Sequence, residues 1–193
     1  GARVRKLRIL IVDDQKLFSD SLKRVLVAEK DDIESVTTAP NGEAALREIA
    51  AAAPDIVLMD VHMPVMNGIE ATRLVHKRFP GVKILILSAF GYDDYVKAAL
   101  ENGAVGYLLK DISPAELLKS LQAASAGLRI ISPRVLDGGT RRSSRAARQS
   151  SAPAWFHDLT GRERDILFLV VKGYSNEEIA EMLSLGMQTV KNY

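Results

Sequence analysis

A doubly wound α/β domain built on a five-stranded parallel sheet, followed by a small all-α domain, is the architecture this sequence predicts. Three patterns point to it. Short apolar runs rich in branched residues recur along the first two thirds of the chain, and stretches with helical spacing separate them. After a glycine-, serine- and arginine-rich interval, two capping signals then open helices close together.

The strands come first. LRILIV precedes Asp13, DIVLM precedes Asp60, KILIL precedes Ser88 and GYLL precedes Lys110, with ESVTTA as a weaker fifth run. Continuous apolar runs of this length suit parallel strands buried on both faces. Between them lie apolar stripes at helical spacing: Leu17, Leu22, Val25 and Leu26, then Ala44, Ala45, Leu46 and Ile49, then Ala71, Leu74 and Val75. Val96, Ala99 and Leu100 supply a fourth stripe, and Leu117, Leu118 and Leu121 a fifth. Strand and helix therefore alternate five times up to about residue 126, the pattern of a parallel sheet covered on both faces.

Residues 1–133 form the first domain in this reading, residues 134–153 a flexible linker, and residues 154–193 the second domain. From Asp137 to Pro153 the sequence DGGTRRSSRAARQSSAP offers no periodic face to bury. Charge follows the same division. Residues 1–133 hold 17 basic and 17 acidic side chains, whereas the linker carries five arginines against Asp137 alone. Those arginines suit either plain solvation or contact with nucleic acid. In the second domain Thr160 with Glu163 and Ser175 with Glu178 have capping-box spacing. They predict helices from Arg162 to Lys172 and from Asn176 to Leu183, joined by a short turn, with Ile166, Leu167, Val170, Ile179, Met182 and Leu183 as packing faces. A third helix is expected to begin near Met187. Two short helices linked in this way fit a helix-turn-helix.

Composition narrows the function classes. The chain is 193 residues long and 47% hydrophobic, enough for packed cores, and it has no cysteine. A disulfide framework and a thiolate zinc site are thereby excluded. No apolar run approaches the ~20 residues that span a bilayer, and the basic start GARVRK leads straight into a strand and two aspartates rather than a signal-peptide profile. The expectation is a soluble, cytoplasmic protein with no membrane partner.

In open α/β sheets ligands bind beyond the carboxyl ends of the strands. Here those ends carry Asp13, Asp14, Asp60, Ser88 and Lys110. Any one of these aspartates could be an ordinary helix cap. Several carboxylates converging on one sheet edge are another matter, because they repel one another unless a cation intervenes, and such oxygen ligands suit Mg²⁺. A carboxylate is a competent nucleophile toward phosphorus, while a divalent ion and a lysine offset charge on the phosphoryl oxygens. The set predicts phosphoryl transfer onto an aspartate.

DD after the first strand, D-V-H-M-P-V-M-N-G after the third, SA after the fourth and GYLLKD after the fifth resemble the receiver domain of bacterial response regulators, a flavodoxin-like fold, over residues 7 to about 127. The resemblance implies that Asp60 is the phosphoacceptor. It implies that Asp14 and Asp60 bind Mg²⁺ directly, that Asp13 assists through water, and that the backbone carbonyl of His62 completes the set. Ser88 would contact the phosphoryl group, Lys110 would pair with it, and Tyr107 would turn inward together with Ser88. Met63, Pro64 and Gly68 would shape the loop after Asp60, Gly68 through backbone freedom. Where many receivers have proline after the lysine, this chain has Asp111, as is common in the branch with the DNA-binding domain described next. The His62 ring is expected in a surface or loop role and not as a metal ligand.

LTGRERDILFLVVKGYSNEEIAEMLSLGMQTVKNY closely resembles the LuxR-type helix-turn-helix of NarL/FixJ response regulators, through LT-x-RE, G-x-SN-x-EIA and TVKN. This implies a recognition helix starting near Met187, with Lys191 and Asn192 toward base edges and Thr189 near phosphates. Gly186 and Met187 stand where a serine cap and an acidic residue are common. The chain stops within that helix, so the DNA-binding domain is expected to be C-terminally incomplete here and to bind DNA poorly. The resemblance implies a two-component transcription factor that takes a phosphoryl group from a sensor histidine kinase, controls promoter DNA and forms a homodimer when phosphorylated. Beyond its own phosphoryl transfer and dephosphorylation it would not be an enzyme. An aspartyl-phosphate phosphatase is the enzymatic alternative, but such enzymes usually carry a second acid where this chain has His62. A regulator that ignores phosphorylation is the third reading, opposed by the complete set of Asp13, Asp14, Asp60, Ser88 and Lys110.

Overall fold

The computed structural model describes residues 5–91 and 93–133, and in the C-terminal region residues 163, 166–167, 169–170 and 175–182. By chain contacts it divides into two compact units, Gly1–Gly139 and Thr140–Tyr193.

The first unit alternates strand and helix as expected. It runs β1 (Leu7–Val12), α1 (Lys16–Ala28), β2 (Ile33–Ala39), α2 (Gly42–Ala52), β3 (Ile56–Met59), α3 (Gly68–Arg78), β4 (Lys83–Ser88), α4 (Asp93–Glu101), β5 (Gly106–Leu109) and α5 (Pro114–Ser125). A short sixth strand, β6 (Ile130–Ile131), adds to the five expected. The sheet order is β2-β1-β3-β4-β5-β6 and every pairing is parallel. At two residues β6 is too short for periodicity to reveal, and it exists because Ile130 and Ile131 pair with Gly106 and Tyr107 of β5.

Alternation along the strands divides the core into two layers. Leu10, Val12, Val57, Met59, Ile84 and Ile86 face one side, where Ala45 and Ile49 of α2, Ala71 and Val75 of α3 and Ala99 of α4 cover them. Ile9, Ile11, Ile56, Leu58, Leu85 and Leu87 face the other, covered by Leu26 of α1 and by Leu117, Leu121 and Ala124 of α5. The α1 stripe is narrower than its sequence suggests. Leu26 is buried, but Leu17 is 83% exposed and Val25 also reaches solvent.

Helix starts follow local chemistry. The side chains of Asn41 and Asn67 accept from the backbone N–H groups of Ala44 and Glu70 and so cap α2 and α3. Ser113 and Glu116 form a complete capping box with Pro114 in the first turn of α5. At the amino ends of the strands, Asp55 accepts from the backbone N–H of Arg8 at 2.9 Å and from its guanidinium at 3.1 and 3.2 Å, and Arg5 adds a contact at 3.0 Å.

Burial alone would raise the carboxyl pKa of Asp55, but the hydrogen bonds and charge of Arg8 outweigh it and hold the group below the usual range. A depressed carboxyl stabilises the fold above its unfolded pKa, near ~3.9, and that contribution disappears as pH falls through the folded value. Asp55→Ala should therefore cost roughly 1–2 kcal/mol at pH 7, and the gap from the parent chain should close below about pH 4. Urea midpoints at pH 7 and pH 3 check this; a gap of equal size at both would refute it.

In the second unit, residues 163, 166–167 and 169–170 are helical, and α6 spans Asn176–Met182. Both arms of the expected cap on α6 are made: Ser175 N–H donates to Glu178 at 2.7 Å and Glu178 N–H donates to Ser175 Oγ at 3.3 Å. Ile166, Leu169, Ile179 and Ala180 are buried. Val170, expected in the packing face, is 51% exposed. Thr160, Leu183 and the helix expected from Met187 lie outside the described residues. Among the described residues no helix is long and apolar enough to cross a membrane.

Candidate functional site

Topology builds the site. From β1 the chain moves outward to β2, then crosses back so that β3 pairs on the other side of β1. The crevice of an open α/β sheet lies at such a reversal. Val12 pairs with Met59, so the next residues, Asp13 and Asp60, emerge side by side. The backbone fixes both: Asp13 N–H donates to the Ala39 carbonyl at 3.0 Å and Asp60 N–H to the Val12 carbonyl at 2.9 Å. One strand further on, Ser88 ends β4 beside Leu109, and Lys110 N–H donates to the Ser88 carbonyl at 2.8 Å.

The side chains converge accordingly. Carboxylate oxygens of Asp13, Asp14 and Asp60 lie within 4.8 Å of one another. Asp13 and Asp60 are buried, Asp14 half-buried. Lys110 Nζ stands 2.6 Å from Asp13 Oδ2 and 3.2 Å from Asp60 Oδ2. The other carboxylate oxygens accept backbone hydrogen bonds, Asp13 Oδ1 from Gln15 at 2.8 Å and Asp60 Oδ1 from Val61 at 2.8 Å. Burial works against the charge of the Lys110 ammonium, but the attraction of Asp60 and then Asp13 prevails and holds its pKa above the ordinary lysine value. The lysine thus stays charged between two buried carboxylates. Three carboxylates with one ammonium leave an excess of negative charge, and the hard oxygen donors fit Mg²⁺.

Ser88 is buried at the rim, and Phe90 N–H lies 3.4 Å from its Oγ. Tyr107 already lies inward: its side chain is fully buried and its hydroxyl donates to the Phe90 carbonyl at 2.6 Å. β5 is thereby tied to the loop after β4. His62 lies in the loop after β3, within the surface or loop role expected for it, but it does not reach the surface. It is buried, with Nε2 3.3 Å from the Tyr95 hydroxyl and the two rings edge to face at 5.0 Å. An aromatic partner on α4 accounts for that burial, and no local sequence signal marks it.

The loop after Asp60 is tight. Met66 N–H donates to the Pro64 carbonyl at 2.7 Å around Val65, whose φ is 68°. A β-branched residue in such a three-residue turn is strained. Gly68 closes the loop, and here the expectation of backbone freedom fails. It begins α3 outside the left-handed region, and what requires glycine is space, since a Cβ there would lie 1.8 Å from the Asp60 carbonyl oxygen. Thr189, Lys191 and Asn192, assigned to DNA contact from sequence, lie outside the described residues.

A parallel sheet with buried aspartates at its switch point, a lysine between them and a serine at the next strand end defines a receiver. Comparison with known proteins agrees for the whole chain. The response regulator receiver domain family matches residues 9–122, and the luxR family of bacterial regulatory proteins matches residues 157–193. The transcriptional regulatory protein DegU of Brevibacillus brevis is 38% identical over 200 residues, covering 97% of this chain and 84% of that protein. The nitrate/nitrite response regulator protein NarL of Escherichia coli K12 is 35% identical over 185 residues, covering 95% and 83%.

Among solved structures, a LuxR-family two-component response regulator from Aurantimonas superposes with TM-score 0.64 at 33% identity, over 69% of this chain and 94% of that one. The response regulator ChrA of a heme-sensing two-component system superposes with TM-score 0.59 at 29% identity, over 98% and 87%. The chain belongs to the two-component response regulators that join a receiver to a LuxR-type DNA-binding domain. It is a transcription regulator.

Proposed function

We propose that Asp60 is the phosphoacceptor and that its phosphorylation by a sensor histidine kinase controls promoter binding by the C-terminal helix-turn-helix. The observation that carries this reading is the placement of a buried Asp60 carboxylate 3.2 Å from the Lys110 ammonium, beside Asp13 and Asp14. In the transfer, an Asp60 carboxylate oxygen forms the new bond to phosphorus while the bond from phosphorus to the donor breaks, and the donor leaves with that electron pair. Lys110 pairs with a phosphoryl oxygen, and the Ser88 hydroxyl donates to another. Carboxylates of Asp13, Asp14 and Asp60 and the backbone carbonyl of His62 would hold Mg²⁺, Asp13 through water. Bound there, the ion offsets charge on the phosphoryl oxygens. The same groups support hydrolysis of the aspartyl phosphate, the one turnover assigned to this protein.

Residues 1–133 act as receiver, 134–153 as linker and 154–193 as the DNA-binding domain, with Thr189, Lys191 and Asn192 toward DNA. The protein works in the cytoplasm. Phosphorylation at Asp60 favours the arrangement with Ser88 and Tyr107 turned inward, and the phosphorylated receiver pairs with a second copy. Adding beryllofluoride with Mg²⁺, a stable phosphoryl mimic, should double the mass seen by light scattering and raise the weak affinity of the chain for DNA. Asp60→Ala should do neither. A parent chain whose mass and DNA affinity both stay unchanged would sink the switch.

A further inference from the structure

We propose that Phe18, on α1, is a positioning residue for Lys110. Its ring holds the lysine ammonium over the carboxylates, and so sets both the rate of phosphoryl transfer and the competition between Lys110 and a divalent cation. The inference rests on the reading of Asp60 as phosphoacceptor for its kinetic part only.

Lys110 Nζ lies 4.6 Å from the centroid of the Phe18 ring, within the distance at which a ring face attracts an ammonium. The same Nζ reaches Asp13 and Asp60, and lies 3.5 Å from Gln15 Oε1. Gln15 and Phe18 are three residues apart across the start of α1, so one helix end presents an amide and a ring on the same side. A lysine side chain loses up to ~2 kcal/mol of rotamer freedom when fixed. Two carboxylates attract the ammonium without choosing one position for it, whereas a ring alongside removes the conformations that swing out into water.

The plainer account makes Phe18 a filler. It packs against the layer containing Leu87 and Leu117, and with Leu22, Val25 and Leu117 it lines a cleft of about 180 Å³. A leucine would serve a filler's purpose, and an aromatic ring would have no reason to face a half-buried ammonium. The two accounts therefore differ in what Phe18→Leu does. As a filler, the variant loses some stability, and any effects on rate and cation affinity fall together. As a positioning residue, the freed lysine spends more time in solvent. Transfer then slows, while Asp13 becomes more available to a cation, so the two effects take opposite directions.

The test uses the full chain with ¹³C at the lysine ε carbons, Lys110→Arg to assign the resonance, and the variants Phe18→Leu and Phe18→Trp. In the parent chain the Lys110 ε protons should be shifted upfield by the ring. Phe18→Leu should return them to the position of solvent-exposed lysines, lower the maximal rate of phosphorylation by acetyl phosphate roughly fivefold and tighten Mg²⁺ binding roughly threefold. Phe18→Trp should restore all three. An unshifted Lys110 resonance in the parent chain overturns the proposal, as does a Phe18→Leu variant whose rate and Mg²⁺ affinity are unchanged or both reduced. If the parent chain takes no phosphoryl group, the reading of Asp60 fails, and the resonance with the Mg²⁺ titration decides the role of Phe18.

Discussion

Gly68→Ala should destabilise the receiver by about 3 kcal/mol and slow phosphorylation on the order of a hundredfold. The added methyl carbon would stand 1.8 Å from the Asp60 carbonyl oxygen and 3.1 Å from Met59 Cγ. A backbone oxygen at the end of a buried strand has no room to retreat, so α3 must move away or the peptide after Asp60 must turn. Either movement reaches the phosphoacceptor, because Gly68 N–H also donates to the Val61 carbonyl at 2.8 Å. Gly81→Ala is the control. Nothing lies within 4 Å of its added carbon, and it should be neutral or slightly stabilising. Urea unfolding and phosphorylation kinetics on both variants give the answer. A Gly68→Ala variant as stable and as fast as the parent would mean that the loop does not approach α3 this closely.

Lys110→Met should cost about 3 kcal/mol of stability without a divalent cation, and should reduce phosphoryl transfer on the order of a hundredfold or more. The side chains of Asp13 and Asp60 are 3% and 2% exposed. Without the ammonium, two buried carboxylates face each other, and the cost comes mainly from that uncompensated charge. Two rescues follow. Millimolar Mg²⁺ should restore most of the lost stability, and so should Asp13→Asn in the same chain, while neither restores transfer. If Lys110→Met is as stable as the parent in the presence of a chelator, the ammonium is not what compensates the charge of the carboxylates. Because the Lys110 pKa lies above its ordinary value, its stabilising contribution is complete below the unfolded pKa of about 10.4 and is lost only as pH rises through the higher folded value. Between pH 6 and pH 9 Lys110 should therefore add no slope to stability.

Much of this was legible in the sequence because strand ends are. Four buried strands read as apolar runs, and the residue following each run is where a parallel sheet presents its chemistry, so Asp13, Asp60, Ser88 and Lys110 could be named without coordinates. The capping boxes at Ser113 and Ser175 are equally local, each needing only a hydroxyl and a glutamate three residues apart, though only the second is among the expectations stated above. What escaped depends on contacts between distant segments. Nothing in the stretch around Gly68 says that it abuts the Asp60 carbonyl, so backbone freedom stood in for a steric reason. The burial of His62 follows from Tyr95, and the approach of Phe18 to Lys110 follows from how α1 packs beside α5. Leu17 and Val25 fit the helical period of α1 yet face outward, since periodicity marks a stripe without fixing its width.

The switch depends first on whether Asp60 accepts a phosphoryl group at this site. The intact mass of the chain after incubation with acetyl phosphate, with Mg²⁺ or with a chelator, and with Asp60→Ala alongside, tests it most directly. A gain of a single phosphoryl group that requires both Mg²⁺ and Asp60 is expected. A gain that persists in Asp60→Ala, or no gain with any small phosphodonor, would contradict it.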